Sequence, residues 1–334
     1  MIDTLVLNFP GIFIPKSIYS KWDDDEHHRK GDYLYFWHGF TVYLRNRAAI
    51  QFTYYPSISD GLLKIQFSLP NAIYGNNVQM VYNIVEAIDI ANSNLPNIKG
   101  IPEINLWNGL LDRVDVCYNF QVGNLIPWYV KSLQVLEYPY RRTRPYNSQG
   151  VQFQNTQAIL KFYDKARERR DDKDERGAIA AKGILRMEAE LHSNHVKAHF
   201  ESRIGSKKPT LRDISVHWAL DVTENELDEL NLLGCSIGTV DTTFKVLREK
   251  YGHWEALALI GLLQTNMTYP SKELFAEDAG LHPNSIGRHL KKKFVENGIP
   301  PTLTTHSEPL PPLVVDRDYV LEQSKLPIKQ KRLF

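Results

Sequence analysis

Apolar and polar residues alternate in a succession of short segments over the first 200 residues: "TLVLNF", "YLYFWHGF", "AIQFTYY", "LLKIQFSL", "RVDVCYNF", "AILKFYD" and "ILRMEAEL". A period of two sends successive side chains to opposite faces of a half-buried strand, so an antiparallel or mixed sheet is predicted. Helical spacing intervenes at Val78–Ala91, where Val81, Ile84, Val85 and Ile88 share a face, and again where Pro127 suits a first helical turn. After "ESRIGSKKP", Glu201–Pro209, the strand patterns fade and helical ones take over. The expectation is an α+β fold in two domains, residues 1–204 built on the sheet and residues 205–334 mainly helical, with the boundary near Gly205.

With 334 residues, 43% of them hydrophobic, the chain can bury a sizeable core. A net charge of +1 gives no polyelectrolyte signature, so any contact with nucleic acid must rest on local basic clusters. Cys117 and Cys235, the two cysteines, are too few for a disulfide framework or a thiolate zinc site and fit a reducing compartment. The opening "MIDTLVLNFPGIFIP" breaks at Pro10 and Gly11 and lacks the charged leader of a signal peptide. No stretch is long enough to cross a bilayer, and no membrane partner is expected. The run "DDDEHHRK", Asp23–Lys30, reads as a solvated loop, and its adjacent histidines would point to opposite sides of an extended chain.

Period two then sorts the residues that carry chemistry. In "RVDVCYNF", Val114, Val116, Tyr118 and Phe120 fall on one face, and Arg113, Asp115, Cys117 and Asn119 on the other. In "ILRMEAEL", Leu185, Met187, Ala189 and Leu191 separate from Ile184, Arg186, Glu188 and Glu190. In "AILKFYDK", Ala158, Leu160 and Phe162 separate from Lys161, Tyr163 and, if the strand persists, Lys165, while Asp164 points to the apolar side. If the three strands are neighbours, acids, cations and one phenol meet on a single polar surface.

Those are the parts of a phosphodiester transesterase. Asp115 and Glu188, with Glu190 as a more ambiguous third, offer oxygen ligands to a hard divalent cation, Mg²⁺ or Mn²⁺. Lys165 is placed to stabilise charge on a phosphate or to lower the pKa of the phenol. Tyr163 is the candidate nucleophile. The bland alternative is a packed strand tyrosine beside a structural salt-bridge network.

These segments carry a resemblance. "MIDTLVLNFP", "IYGNN" (Ile73–Asn77), the R-x-D strand "RVDVCYNF", "ILKFYDKARE" and the R-x-E strand "LRMEAEL" resemble, in order and spacing, the replication-initiator endonucleases of filamentous bacteriophages, the gene II protein family. A looser similarity continues through "FVENGIP" to "PLPPLVVD". The resemblance implies an enzyme that nicks one strand at a double-stranded phage or plasmid origin. It would remain linked to the 5′ phosphate through Tyr163, with Lys165 beside it, and later rejoin the displaced single strand. It further implies host helicase and polymerase as partners, in the cytoplasm of a bacterial host. The His-hydrophobic-His pair found in many rolling-circle nucleases does not occur in this chain. His192 and His195 read as surface or structural residues.

Arg113 and Arg186 are candidate DNA contacts. "YGNN" is an ordinary turn and N-cap, or a phosphate site with Asn77 as donor. "WHGF", Trp37–Phe40, reads as core rather than as a base-stacking platform. The stretch "SKELFAEDAGLHPNSIGRHLKKKFVENGI" reads as a helix-turn-helix-like element in which Arg288, His289, Lys291 and Lys292 would meet DNA, or as a plain helical pair with a basic face. The tail "KLPIKQKRLF" reads as a mobile, non-specific DNA contact at most. A non-catalytic initiator that binds and melts an origin is the competing function.

Overall fold

A computed structural model of the chain describes residues 1–22, 24–30, 33–44, 48–95, 97–98, 100–147, 149–268 and 292–328. A ten-stranded sheet runs through it in the order β2-β3-β4-β5-β1-β6-β10-β9-β8-β7. Its strands are β1 (Ile2–Pro10), β2 (Asp24–Lys30), β3 (Tyr33–Tyr43), β4 (Ala49–Tyr55), β5 (Leu62–Ser68), β6 (Leu110–Gln121), β7 (Arg142–Tyr146), β8 (Gly150–Gln154), β9 (Ala158–Asp164) and β10 (Ile184–His192). Every neighbouring pair is antiparallel. The α+β expectation therefore holds at the level of class.

Alternation decides which face is covered. Val114, Val116, Tyr118 and Phe120 of β6, Leu185, Met187, Ala189 and Leu191 of β10, and Leu160 and Phe162 of β9 all join one hydrophobic core. Helices lie on that face because their apolar stripes need the same shelter. Among them, Ile84–Ser93, Ile126–Leu133, Ser193–Ile204 and Val216–Glu229 supply Ile88, Tyr129, Phe200 and Trp218. Pro127 sits in the first turn of its helix, as its fixed φ favours.

Gly205 caps helix Ser193–Ile204 in the left-handed region, at φ 72°. The principal core continues past it, taking in Leu211, Trp218, Leu227, Leu310 and Val320. A separate, smaller core gathers Leu247, Leu259, Leu263, Phe294 and Leu303, mostly from helices Val240–Tyr251 and His253–Thr268.

Some local expectations are corrected. Asp24–Lys30 is a strand, not a loop: it pairs with β3 at the end of the sheet, the position where a charged sequence is compatible with an unpaired edge. The helix expected from Val78 begins instead at Ile84, because Asn83 accepts from the Glu86 backbone N–H and caps it there. A shorter helix, Leu69–Tyr74, precedes it, capped by Ser68 and ended by Gly75 at φ 72°. The strand around Tyr163 ends at Asp164, whose carboxylate accepts from the Ala166 and Arg167 N–H groups and starts the helix Lys165–Asp171. The tail is docked as far as Ile328, whose N–H donates to Glu86. Most of the helix-turn-helix-like stretch, with Arg288, His289 and Lys291, lies outside the described residues, while Lys292 is exposed in a helical turn. Among the described residues no helix is long and apolar enough to cross a membrane.

Candidate active site on the polar sheet face

Strand register brings the chemistry-bearing residues into three rows across the sheet. One row reads Tyr146, Gly150, Tyr163, Arg186, Asn119; the next Arg144, Gln152, Lys161, Glu188, Cys117; the third Arg142, Gln154, Ile159, Glu190, Asp115. Because the rows are two residues apart on every strand, all their side chains project from the face opposite the core.

The three carboxylates cluster, with one oxygen of each of Asp115, Glu188 and Glu190 within 4.8 Å of the others. Cations partition them. Arg113 grips Asp115 with two bonds, Nε to Oδ1 at 2.8 Å and Nη2 to Oδ2 at 2.7 Å, and reaches Glu190 at 3.0 Å. Lys161 Nζ bridges Glu188 Oε1 at 2.9 Å and Glu190 Oε2 at 3.0 Å. His192 Nε2 meets the other Glu190 oxygen at 2.8 Å. The Tyr163 hydroxyl donates to Glu188 Oε2 at 2.9 Å.

Burial sets the protonation of this cluster. It pushes the Asp115 carboxyl up to about 7, with Arg113 opposing the rise and the Glu188 charge adding to it. Burial also works against the Glu188 charge, but Lys161, with Lys165 and Arg186 further off, holds that carboxyl down at about 2. Glu190 is likewise held below the usual range, Lys161 and His192 overcoming its burial. Burial and the Glu188 charge push the Tyr163 phenol well above its ordinary value. The resting hydroxyl is therefore protonated and donating. The expected lowering of the phenol by Lys165 is overridden: Lys165 is wholly buried in the first turn of its helix, 5.6 Å from the Tyr163 ring centre, and pairs with Glu168. Burial, together with the Arg186 charge, lowers Lys165 itself to about 8.

Arg186 is fully buried and serves as a tie rather than an exposed contact. It donates to Asn119 Oδ1 at 2.8 Å, to the Val78 carbonyl at 3.0 Å and to Asp3 at 3.4 Å. Asn77 sits in the loop after the helix Leu69–Tyr74, not at a helix N-terminus, and its Oδ1 is buried without a hydrogen-bond partner among the described residues. In the "WHGF" segment, Phe40 stacks on Phe52 at 5.0 Å and His38 lies 4.6 Å from Tyr19, so both rings pack on neighbours.

The structure thus brings together Asp115, Glu188, Glu190, Arg113 and Tyr163 as the alternation required. Lys161 joins them from the same face of β9, and the structure adds His192 and Tyr146, whose ring lies 5.3 Å from that of Tyr163. It also adds Arg142 and Arg144, which are exposed and have no ion-pair partner among the described residues. An all-oxygen donor set suits a hard divalent cation such as Mg²⁺ or Mn²⁺, so the residues fit one. Such an ion would compete with Lys161 for Glu188 and Glu190. No family model matches the chain, and no curated relative matches it significantly.

Proposed function

We propose that the protein is a nicking and joining endonuclease acting on one strand of DNA through a Tyr163-phosphate intermediate. The observation that carries the reading is the hydrogen bond from the Tyr163 hydroxyl to Glu188, inside the three-carboxylate cluster. An ionised carboxylate on the phenol is an acceptor already in place for the proton that must leave during attack.

In the step itself the Tyr163 oxygen bonds to phosphorus and its proton passes to Glu188. The bond from phosphorus to the 3′ oxygen breaks, and that oxygen leaves as a hydroxyl after taking a proton from water. Rejoining is the reverse, with a 3′ hydroxyl displacing the tyrosine. Asp115, Glu188 and Glu190 would hold a divalent cation, which when bound offsets charge developing on a phosphate. Tyr163 is only 2% exposed, so a phosphate reaches it only after the side chains packed around it, Tyr146 among them, give way. Origin DNA and the displaced strand are the substrates in this reading, with host helicase and polymerase using the exposed 3′ end. The helical region around Lys292 would supply duplex recognition.

A second reading has its own support. Every carboxylate of the cluster is ion-paired and the phenol is buried, as in a charged scaffold beneath a non-catalytic DNA-binding initiator. Incubation with supercoiled origin plasmid and Mg²⁺ separates the two. Open circles together with an adduct stable to denaturant support the nicking enzyme, provided that Tyr163→Phe abolishes both. Binding without either product leaves the scaffold reading.

A further inference from the structure

Strand β6 outruns its neighbour. β1 begins opposite Val116, so among the described residues Tyr118–Gln121 have no strand partner on that side, and the sheet carries a notch there. The loop after Tyr74 forms one wall of the notch and the C-terminal segment Tyr319–Ile328 another. Asn83 fixes that second wall by donating to the Leu326 carbonyl at 3.1 Å, and Glu86 does so by accepting from the Ile328 N–H at 2.9 Å. The result is a cavity of 680 Å³.

Its chemistry is selective. Four tyrosines, Tyr74, Tyr82, Tyr118 and Tyr319, face it, and among the described residues no Asp, Glu, Lys, Arg or His lines it. Burial raises the phenols of Tyr74, Tyr82 and Tyr118, so they stay neutral. The side-chain amides of Gln121 and Gln323, also on the wall, have no partner among the described residues. Aromatic faces with free amide donors and acceptors suit a neutral planar heterocycle with a hydrogen-bonding edge, which is a nucleobase. Among the described residues a phosphate or an acidic peptide would find no counter-charge.

The cavity also adjoins the candidate active site. Its wall residues Asn119 and Val78 are two of the partners of Arg186, and Arg186 stands directly opposite Tyr163 in the β10–β9 ladder. Asn119 is two strands from Tyr163, roughly 10 Å at ordinary strand spacing. That separation falls within the few nucleotides a single-strand site spans.

We infer that this notch is a base-binding pocket for an unpaired nucleotide of the DNA strand whose phosphate lies at Tyr163. The inference rests on the proposed nicking function for its orientation, and a free nucleoside shares the same ring chemistry. The probes are therefore a mixed-sequence nine-nucleotide single strand with one 2-aminopurine, placed at each position in turn, and 2-aminopurine deoxyriboside alone. Fluorescence is read with the full-length Tyr163→Phe protein, which keeps the strand uncut.

Quenching at a restricted set of positions in the oligonucleotide, and not of the nucleoside at equal concentration, is the expected result. Gln79→Trp fills the cavity from its exposed rim and Tyr319→Ala removes a half-exposed wall, so each should abolish the quenching and weaken strand binding roughly tenfold. Equal quenching of the free nucleoside overturns the strand assignment in favour of a nucleotide site. Absence of quenching, or quenching that survives both wall variants, overturns the pocket even if wild-type protein still forms the covalent adduct. Position-specific quenching in a protein that forms no adduct keeps the base pocket and overturns only the nicking function.

Discussion

Gly150 lies directly opposite Tyr163 in the β8–β9 ladder, and a Cβ on Gly150 would come within 2.3 Å of the Phe162 carbonyl oxygen and 2.7 Å of the Tyr163 Cβ. The missing side chain leaves room for the Tyr163 and Tyr146 rings to meet at 5.3 Å across it. Gly150→Ala should therefore push the β9 backbone at Phe162–Tyr163 away from β8 and displace the tyrosine, while the carboxylates on β6 and β10 keep their own strands. We expect a stability loss of about 1–3 kcal/mol, typical of overpacking, together with loss of adduct out of proportion to any loss of DNA binding. Wild-type adduct yield in Gly150→Ala would show that the position of Tyr163 is not critical.

Lys161 supplies the charge that lets Glu188 and Glu190 sit buried together. Replacing it with methionine keeps most of the side-chain volume and removes the ammonium. Without added cation, Lys161→Met should lose about 3–5 kcal/mol, the usual consequence of leaving buried carboxylates uncompensated. Millimolar Mg²⁺ or Mn²⁺ should restore much of that loss, raising Tm further in the variant than in wild type. A Tm indifferent to both ions in both proteins would mean that the cluster is an ion-pair network and nothing more.

Lys165 gives a pH signature of definite sign. Its folded pKa of about 8 lies below its ordinary value, so between about 8 and 10.4 the unfolded chain binds a proton that the native protein does not. Native stability should rise with pH across that window, and below it the cost of the buried charge is present in full. Lys165→Met should remove this component, so that the stability difference between variant and wild type changes progressively from pH 8 to 10. Parallel pH profiles from urea melts would contradict a depressed lysine.

How far the site could be read beforehand depended on the period of each segment. Asp115, Glu188 and Tyr163 were legible as one face because alternation is unbroken through β6, β10 and most of β9. Lys161 was visible on that face, but its place between Glu188 and Glu190 depends on cross-strand register, which one strand's sequence does not encode. Lys165 shares the Tyr163 face only if the strand persists, and nothing in "FYDK" announces that Asp164 will cap a helix and change the period from 2 to 3.6. The strand Arg142–Tyr146 escaped notice for the opposite reason. Pro145 argues against a strand everywhere except at a sheet edge, which is where β7 lies. Its two arginines went unread with it.

Those arginines carry the last prediction. On the rows that contain Lys161–Glu188 and Glu190–Asp115, the inner cations are consumed by carboxylates, while Arg144 and Arg142 stand exposed at the outer ends beyond Gln152 and Gln154. A strand approaching Tyr163 over this edge would meet the free positive charge of the face before reaching the acids. Arg142→Ala with Arg144→Ala removes two exposed charges and no core contact, so folding should be unaffected. Binding of a single-stranded oligonucleotide should weaken, and its log-log salt dependence should flatten by about 1.4, near 0.7 for each lost phosphate contact. Binding of duplex origin should depend on this pair less than on Arg288 and Lys292 if the helical region recognises the duplex. Titrations at several salt concentrations decide the matter, because a wild-type slope for single strands in the double variant would place the strand's path on another side of Tyr163.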